Sequence, residues 1–276
     1  MSYQLYQGDC LEVMKQLIEQ GVSVDMVLCD PPYNVTKNKV DQNELDLDRM
    51  WKLLNQLVKP NGAVILFGQD KFTMKLMMSN LKQHRYNLVW DKVLSTGFLN
   101  ANRMPLRSHE DICVFYRKLP TYHPQFHKGK PNHNSKDGVV RATKDTNNNY
   151  GAFKPQYNND LGDNKHPKSI LTYPKPHPSV AVHPTEKPVP LLEFLIKSYS
   201  DEGQTVLDFT FGSCSTGEAA LLTRRKFIGI ELDPHFFEVG KQRLHQVAST
   251  LSNPEEALWK DFLNEQKKEK EEKEKV

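Results

Sequence analysis

The sequence has few cysteines, no long apolar run and little net charge. Its four cysteines stand singly among 276 residues, without the close pairs that zinc sites and secreted disulfide frameworks need, so a reducing cytoplasm is the expected setting. No stretch approaches the roughly 20 apolar residues of a membrane helix, and the N-terminus lacks a basic region followed by an apolar run. We therefore expect a soluble, unprocessed, cytoplasmic protein with no membrane partner and no metal site.

The positive charge is concentrated in one segment, although the net charge of the chain is only +3. Residues 121–182 hold nine Lys and Arg against four Asp and Glu, together with six aromatic residues. This composition is typical of a surface that contacts the phosphates and bases of a nucleic acid. A solvated loop would have the same composition, so the segment alone does not decide between the two. The aromatic residues are Tyr122, Phe126, Tyr150, Phe153, Tyr157 and Tyr173.

Alternating strand and helix signals in the N-terminal third predict an α/β protein with a parallel sheet. Asp9 and Glu12 have the spacing of a capping box, and apolar residues follow at helical intervals until Gly21. The apolar run at residues 24–29 predicts a buried strand. We expect each helix to join neighbouring strands. Further helices are predicted at residues 46–58, closed by Pro60-Asn61-Gly62, and 70–81, and further strands at 63–68, 86–90 and 111–116.

Residues 119–184 show no periodicity, and regular structure is predicted again only beyond them. Helices are predicted at residues 189–199, 216–223 and 234–247, and strands at 205–210 and 226–232. The alternating Lys and Glu residues at 267–276 predict a solvated tail without chemistry of its own.

A tetrapeptide that follows the strand predicted at 24–29 carries the sharpest chemical signal: Asp30-Pro31-Pro32-Tyr33. An aromatic amine is a poor nucleophile because its lone pair is delocalised into the ring, so an enzyme must hold the amine with hydrogen-bond acceptors. The Asp30 carboxylate and the Pro31 carbonyl can supply two acceptors on a turn stiffened by proline, and Tyr33 offers a ring on which a base can stack. Alone, the tetrapeptide could be a simple turn, but open α/β sheets bind ligands at the carboxyl ends of their strands.

A second motif spans residues 206–217, and Glu231 follows it at the end of the next predicted strand. A strand, a turn of small residues, a helix and a later carboxylate make a nucleoside-binding unit, because the carboxylate can accept from both ribose hydroxyls. The turn lacks the three-glycine phosphate fingerprint and a P-loop lysine, so S-adenosylmethionine fits better than a pyrophosphate cofactor. The alternative is a βαβ unit whose small residues only permit tight packing. The candidate cofactor residues are Asp208, Phe209, Gly212, Ser213, Ser215, Thr216 and Glu231.

A third motif, at residues 183–188, opens the helix predicted at 189–199 and reads His-Pro-Thr-Glu-Lys-Pro. Thr185 and Lys187 lie near a helix N-terminus, where a hydroxyl, an ammonium and free backbone donors could bind the carboxylate of the cofactor. A helix start bounded by prolines is the simpler alternative. Asp9 and Cys10, at the start of the first helix, are further candidates for contacts to the adenine moiety of the cofactor.

In this order, the three motifs resemble the β-group of DNA adenine-N6 and cytosine-N4 methyltransferases, over roughly residues 6–244. The resemblance implies a Rossmann-like class I S-adenosylmethionine-dependent methyltransferase fold, with a mostly parallel, seven-stranded sheet in circularly permuted order. It also implies that the strand at 205–210 is central, with the strand ending at Glu231 beside it and the N-terminal strand, Tyr3 to Tyr6, next. The expected organisation is a catalytic part at 1–118, a basic target-recognition insert at 119–182, a cofactor part at 183–250 and a charged tail at 251–276.

The same resemblance implies a site-specific methyltransferase that acts on a flipped base of double-stranded DNA. Asp30, Pro31, Pro32 and Tyr33 would contact the base, and the residues of the other two motifs would bind the cofactor. Family members with Asp at the first catalytic position mostly methylate adenine, and those with Ser there mostly methylate cytosine N4, so Asp30 favours adenine. Dimers occur in such a family, and a homodimer is compatible with the resemblance. The sequence leaves open whether a restriction endonuclease accompanies the protein, or whether it is an orphan or phage methylase.

The cofactor turn departs from the family pattern at Phe209, Thr210 and Cys214, where Pro, Phe and Gly are usual. Cys214 adds a Cβ atom where the backbone commonly passes close to the cofactor, and a non-glycine residue is strained there if its φ is positive. A catalytically dead DNA-binding homologue is therefore one alternative. Methylation of an RNA base or a protein amide is another, although the cofactor motif generally comes first in those families. Cys29, beside Asp30, is expected to be a core residue because direct methyl displacement needs no cysteine nucleophile.

Overall fold

An eight-stranded, mostly parallel sheet organises the larger of two compact units in the computed structural model, which describes residues 2–33, 45–129, 164–175 and 186–253. The larger unit comprises residues 1–123 and 169–276, and the smaller comprises 124–168. The strands are β1 (Tyr3–Gln7), β2 (Val24–Cys29), β3 (Val58–Gly68), β4 (His84–Thr96), β5 (Arg107–Phe115), β6 (His127–Lys128), β7 (Asn164–Lys165), β8 (Ile170–Thr172), β9 (Thr205–Asp208) and β10 (Lys226–Glu231). The helices are α1 (Cys10–Glu19), α2 (Leu47–Leu57), α3 (Asp70–Ser79), α4 (Val189–Tyr199), α5 (Ser215–Leu222) and α6 (Pro234–Ser252), with one 3-10 turn at Phe98–Asn100.

Aspartate side chains begin three of the helices. Asp9 Oδ1 accepts hydrogen bonds from the backbone N–H groups of Leu11 and Glu12, which confirms the predicted start of α1. Asp46 caps α2 in the same way, and Asp233 caps α6, whose first residue is a proline. These caps satisfy backbone donors that a helix leaves open in its first turn.

The strand order of the main sheet is β1-β10-β9-β2-β3-β5-β4-β8, and β5 is antiparallel to both of its neighbours. The predicted sequence of β9, β10 and β1 across the sheet is confirmed. The expectation that each helix joins neighbouring strands is wrong for α1, because β10 and β9 lie between β1 and β2, and it is wrong for α3, because β5 lies between β3 and β4. The strands β6 and β7 form a separate antiparallel pair within the smaller unit.

Two details of the predicted sheet are corrected by the structure. Among the described residues the sheet has eight strands rather than seven, because β8, within the predicted insert, pairs in parallel with the edge of β4. The strand predicted to begin at residue 63 begins at Val58, and the pairing with β2 advances from Val24–Val58 to Met26–Ala63, which leaves three extra residues on β3. Pro60, Asn61 and Gly62 therefore form a bulge rather than a break between elements.

Apolar cores cover both faces of the main sheet, as the alternation of side chains along β2 shows. Val27 and Cys29 belong to the core packed against α1, α2 and α3, whereas Met26 and Leu28 belong to the core packed against α4 and α5. Burial on both faces explains why β2 reads as a continuous apolar run.

No helix in the part of the chain that the structure describes combines the length and the apolar character needed to cross a bilayer. The predicted tail at 267–276 and most of the predicted insert lie outside the described residues.

Candidate active site

The loop that leaves β2 and the turn that leaves β9 lie side by side. The two strands pair in parallel through Met26–Val206 and Val27–Leu207, so their carboxyl ends open at the same edge of the sheet. The Thr210 hydroxyl donates to the Asp30 carbonyl at 3.1 Å and lies 3.0 Å from the Cys29 thiol. The adjacency on which the sequence interpretation depends is therefore confirmed. Thr210, one of the departures from the family pattern, is the residue that bridges the two segments.

The Asp30 carboxylate has a partner on each of its two oxygens. The Tyr33 hydroxyl donates to Oδ1 at 2.5 Å, and the Lys187 ammonium donates to Oδ2. Burial raises the pKa of Asp30, and the charge of Lys187 acts in the opposite direction. Burial and the Asp30 charge raise the pKa of Tyr33 well above its ordinary value, so the hydroxyl stays protonated and able to donate. The Tyr33 ring packs against Phe72, with 4.9 Å between ring centroids, which fixes its position beside Asp30.

Lys187 lies beside Asp30. Its Nζ atom is 3.3 Å from Glu110 Oε2 as well as bonded to Asp30, and it lies 5.0 Å from the ring centroid of Phe67 and 5.9 Å from that of Trp90. The assignment of Lys187 to the cofactor carboxylate stays a prediction, and its partners in this structure are the two acidic side chains. Thr185, its predicted companion, lies outside the described residues.

Glu231, at the end of β10, is fixed by two backbone donors. Its Oε2 atom accepts from the Gly212 N–H and its Oε1 atom accepts from the Asp233 N–H, both at 2.8 Å. Burial raises the pKa of Glu231, and these backbone hydrogen bonds act against the rise. Each carboxylate oxygen can accept a further hydrogen bond. Gly212 has a φ of 53°, a left-handed conformation that glycine adopts without strain.

Asp208 is buried at the end of β9 and organises the turn that follows. It accepts from the Thr210 N–H at 3.2 Å and from the Thr216 hydroxyl. Burial raises the pKa of Asp208 to about 7. The side chain of the next residue, Phe209, is fully buried in the apolar core, so this position presents only its backbone to the turn.

The remaining turn residues are held by an arginine from α6. Arg243 Nη1 donates to the Ser213 carbonyl at 3.1 Å, and its other nitrogens bind the carboxylates of Glu218 and Glu186. The guanidinium thus ties the cofactor turn and α5 to the segment before α4. Ser213 and Ser215 are both buried.

Cys214 adopts the strained conformation that its sequence position suggested. Its φ is 63°, a left-handed conformation that costs roughly 1–2 kcal/mol relative to glycine. Its side chain is completely buried. Two glycines make room for it. A Cβ atom at Gly217 would lie 2.6 Å from Cys214 Sγ, and one at Gly240 would lie 2.8 Å from Cys214 Cβ.

Asp9 and Cys10 lie beside Glu231, since Gly8 donates its N–H to the Glu231 carbonyl at 2.9 Å. The Asp9 carboxylate is used as the cap of α1. Burial, with the charge of Asp9, raises the pKa of Cys10 to about 12, and burial raises the pKa of Cys29 well above its ordinary value. Both thiols therefore stay protonated at neutral pH, and the prediction that Cys29 is a core residue agrees with its burial.

Comparison with known proteins identifies the family. The family model described as DNA methylase, for N6 and N4 methyltransferases, matches residues 24–242. The chain belongs to this DNA methylase family. The match takes in both β2 and β9, so it covers the two segments that meet at Thr210, and the predicted family is confirmed.

Known relatives resemble this methylase over most of their length. The DNA adenine methyltransferase YhdJ of Escherichia coli (strain K12) is 28% identical over 262 residues, which cover 90% of this chain and 84% of the relative. The type II methyltransferase M2.MboI of Moraxella bovis is 27% identical over 284 residues, which cover 91% of each chain.

Solved structures confirm the predicted methyltransferase fold. The complex of M1.HpyAVI with SAM matches with a TM-score of 0.57 at 23% identity, over 88% of this chain and all of that one. The cytosine-N4-specific PvuII DNA methyltransferase matches with a TM-score of 0.61 at 14% identity, over 92% and 93% of the two chains.

Proposed function

We propose that this methylase transfers a methyl group from S-adenosylmethionine to the N6 amine of a flipped adenine in double-stranded DNA. The observation that carries the proposal is the hydrogen bond from Thr210 to the Asp30 carbonyl, which places the amine-binding loop against the cofactor turn. The relatives named as a DNA adenine methyltransferase and a type II methyltransferase support the same chemistry. Aspartate at the first catalytic position favours adenine over cytosine.

The residues around the turn fit S-adenosylmethionine. Glu231 is held by two backbone donors and keeps acceptor capacity for ribose hydroxyls, and no phosphate-binding fingerprint is present in the described turn at residues 208–217. Asp30 and Asp208 lie at the junction of the two segments, where their oxygens can accept hydrogen bonds. When bound, the cofactor supplies an electrophilic methyl group.

The residues of the chain supply alignment rather than covalent chemistry. Asp30 and the Pro31 carbonyl accept hydrogen bonds from the amine, which localises the nitrogen lone pair and aims it at the methyl carbon. Thr210 fixes the backbone of that loop, and the phenol of Tyr33 orients the carboxylate. As the nitrogen–carbon bond forms and the carbon–sulfur bond breaks, the nitrogen gives up a proton. The Asp30 carboxylate, whose pKa burial raises, is placed to receive it.

Double-stranded DNA is the proposed partner, bound in part by the basic segment at 121–182. Extruding the base costs a few kcal/mol, which contacts to the phosphates and stacking beside Tyr33 would offset. A homodimer and a restriction endonuclease partner stay predictions.

Expression in a host that lacks DNA methylation, followed by sequencing of modified bases in its DNA, tests the proposal. We expect N6-methyladenine at one recurring sequence, and no modification with the Asp30→Ala variant, which should still bind DNA. N4-methylcytosine would instead favour the cytosine alternative. Unmodified DNA, together with failure to bind S-adenosylmethionine at millimolar concentration in equilibrium dialysis, would support the catalytically dead homologue.

A further inference from the structure

Four charged side chains form a buried chain that ends at Asp30. The Lys187 ammonium contacts Asp30 and lies 3.3 Å from Glu110 Oε2, and Lys92 Nζ lies 3.2 Å from Glu110 Oε1. The side chains of Lys187 and Lys92 are only 6% and 4% exposed, and that of Glu110 is 15% exposed. Two ammonium groups face two carboxylates, so the cluster is electrically balanced.

Buried charges of this kind are weak contributors to stability. Each one loses several kcal/mol of hydration, and an apolar set of similar volume is often as stable or more stable. Here the surroundings are apolar enough for such a replacement, because the Lys187 ammonium lies against the rings of Phe67 and Trp90. The presence of ions at this place therefore points to a use in the site rather than in the core.

We propose that Lys187 is a positioning residue that holds Asp30 in its carboxylate form and in one rotamer, and that Glu110, backed by Lys92, holds Lys187 in place. This inference rests on the proposed function, in which Asp30 accepts hydrogen bonds from the substrate amine. Lys187 binds Oδ2 of Asp30 and the Tyr33 hydroxyl binds Oδ1, so the substrate amine would use the remaining acceptor capacity of this fixed carboxylate.

The electrostatic environment of the cluster agrees with this role. Burial favours the neutral form of Lys187, but the charges of Asp30 and Glu110 outweigh burial and raise its pKa. Burial alone would raise the pKa of Glu110, but Lys187 and Lys92 lower it. Glu110, in turn, acts on Asp30 in the same direction as burial. The cluster itself consists of Asp30, Lys187, Glu110 and Lys92. The other titratable groups that act on it are Tyr33, Lys175, Cys29 and Asp208.

The test is the pH dependence of single-turnover methyl transfer, with labelled S-adenosylmethionine and plasmid DNA from a host without DNA methylation. Lys187→Gln removes the positive neighbour of Asp30, so the acid limb of the rate profile should move up by about one pH unit or more. Glu110→Gln removes a negative neighbour, so the limb should move down. Lys59→Met is the control, because Lys59 pairs with Asp25 at the opposite edge of the sheet. Its limb should stay in place.

Opposite shifts in the two variants would support the proposed role of the cluster, since a merely structural role cannot move the acid limb of the rate profile in two directions. Unmoved limbs, or shifts of the same sign, would overturn it while leaving the proposed function standing. If Lys187→Gln does not fold, judged by thermal unfolding, the downward shift of Glu110→Gln decides alone. A wild-type protein that transfers no methyl group to DNA would reject the proposed function, and this inference would fall with it.

Discussion

Replacing Thr210 by Val removes one hydroxyl and keeps the branched shape of the side chain. The lost group donates to the Asp30 carbonyl at 3.1 Å and contacts the Cys29 thiol at 3.0 Å. An intramolecular hydrogen bond contributes about 1 kcal/mol net, and both partners lie in partly buried positions. We expect the free energy of unfolding of Thr210→Val to fall by about 1–2 kcal/mol.

The effect on the reaction should exceed the effect on stability. Without the Thr210 hydroxyl, the Asp30 carbonyl loses its hydrogen bond to the turn that follows β9. A misplacement of about 1 Å in reacting groups costs roughly 100-fold in rate, so a smaller displacement should lower the single-turnover rate by about 10-fold or more. The cofactor Kd should change little, because the groups around Glu231 are untouched.

Thr210→Ser is the matched control, because it keeps the hydroxyl and loses only a methyl group. Urea unfolding, equilibrium dialysis and single-turnover methylation should be measured on both variants. The Ser variant should retain most of the rate, and the Val variant should lose it. A Val variant as fast as the wild type, or a Ser variant as slow as the Val variant, would show that the hydroxyl does not align the two segments.

Two further predictions concern the cofactor turn. Gly217→Ala should lower the free energy of unfolding by up to about 2 kcal/mol in urea unfolding, because a Cβ atom would lie 2.6 Å from Cys214 Sγ and 2.7 Å from a Phe227 ring carbon. That overpacking costs about 1–3 kcal/mol and exceeds the roughly 1 kcal/mol that alanine contributes to a helix, so a stabilised variant would contradict it. For Asp208, burial raises the pKa from 3.8 to about 7, so the folded protein holds a proton that the unfolded chain loses within this range. The contribution of Asp208 to the free energy of unfolding therefore falls as the pH rises from 4 to 7, and Asp208→Asn should gain about 2–3 kcal/mol relative to the wild type between pH 5 and pH 8. An equal difference at both pH values would count against this assignment.

Local signals in the sequence predicted the helices well where the capping residues and the apolar periodicity indicate the same bounds. Asp9 and Glu12 mark the start of α1, and the helix predicted at 189–199 has the bounds of α4. The start of β3 was wrong because Pro60, Asn61 and Gly62 are typical turn residues, whereas here they form a bulge. Only the tertiary structure shows why Gly62 is required there, since a Cβ atom would lie 2.6 Å from the Asp25 carbonyl oxygen.

The adjacency of the Asp30 motif and the turn after β9 could be predicted from the sequence, but the cluster behind Asp30 could not. Lys92 and Glu110 lie on the paired consecutive strands β4 and β5, but Lys187, which joins them to Asp30, comes from the segment before α4, and no short motif contains all three. A signal was nevertheless present, because alternate residues of a strand lie on the same face of the sheet. Lys92 shares a face with Leu88 and Trp90, and Glu110 shares a face with Ile112 and Val114, so both charges stand in apolar rows. Which opposite charge they would meet depends on the packing of α4 against the sheet.

The pairing of β2 with β9 has a consequence for folding during synthesis. The Asp30 loop and the threonine that braces it are 180 residues apart, so at 5–20 residues per second the ribosome takes roughly 10–40 s to deliver the second after the first. During that interval one edge of the apolar strand β2 has no native neighbour and is open to pairing with other chains. A chain still in synthesis therefore passes through a stage prone to aggregation, and the Asp30 loop can meet the turn after β9 only once Thr210 has left the ribosome.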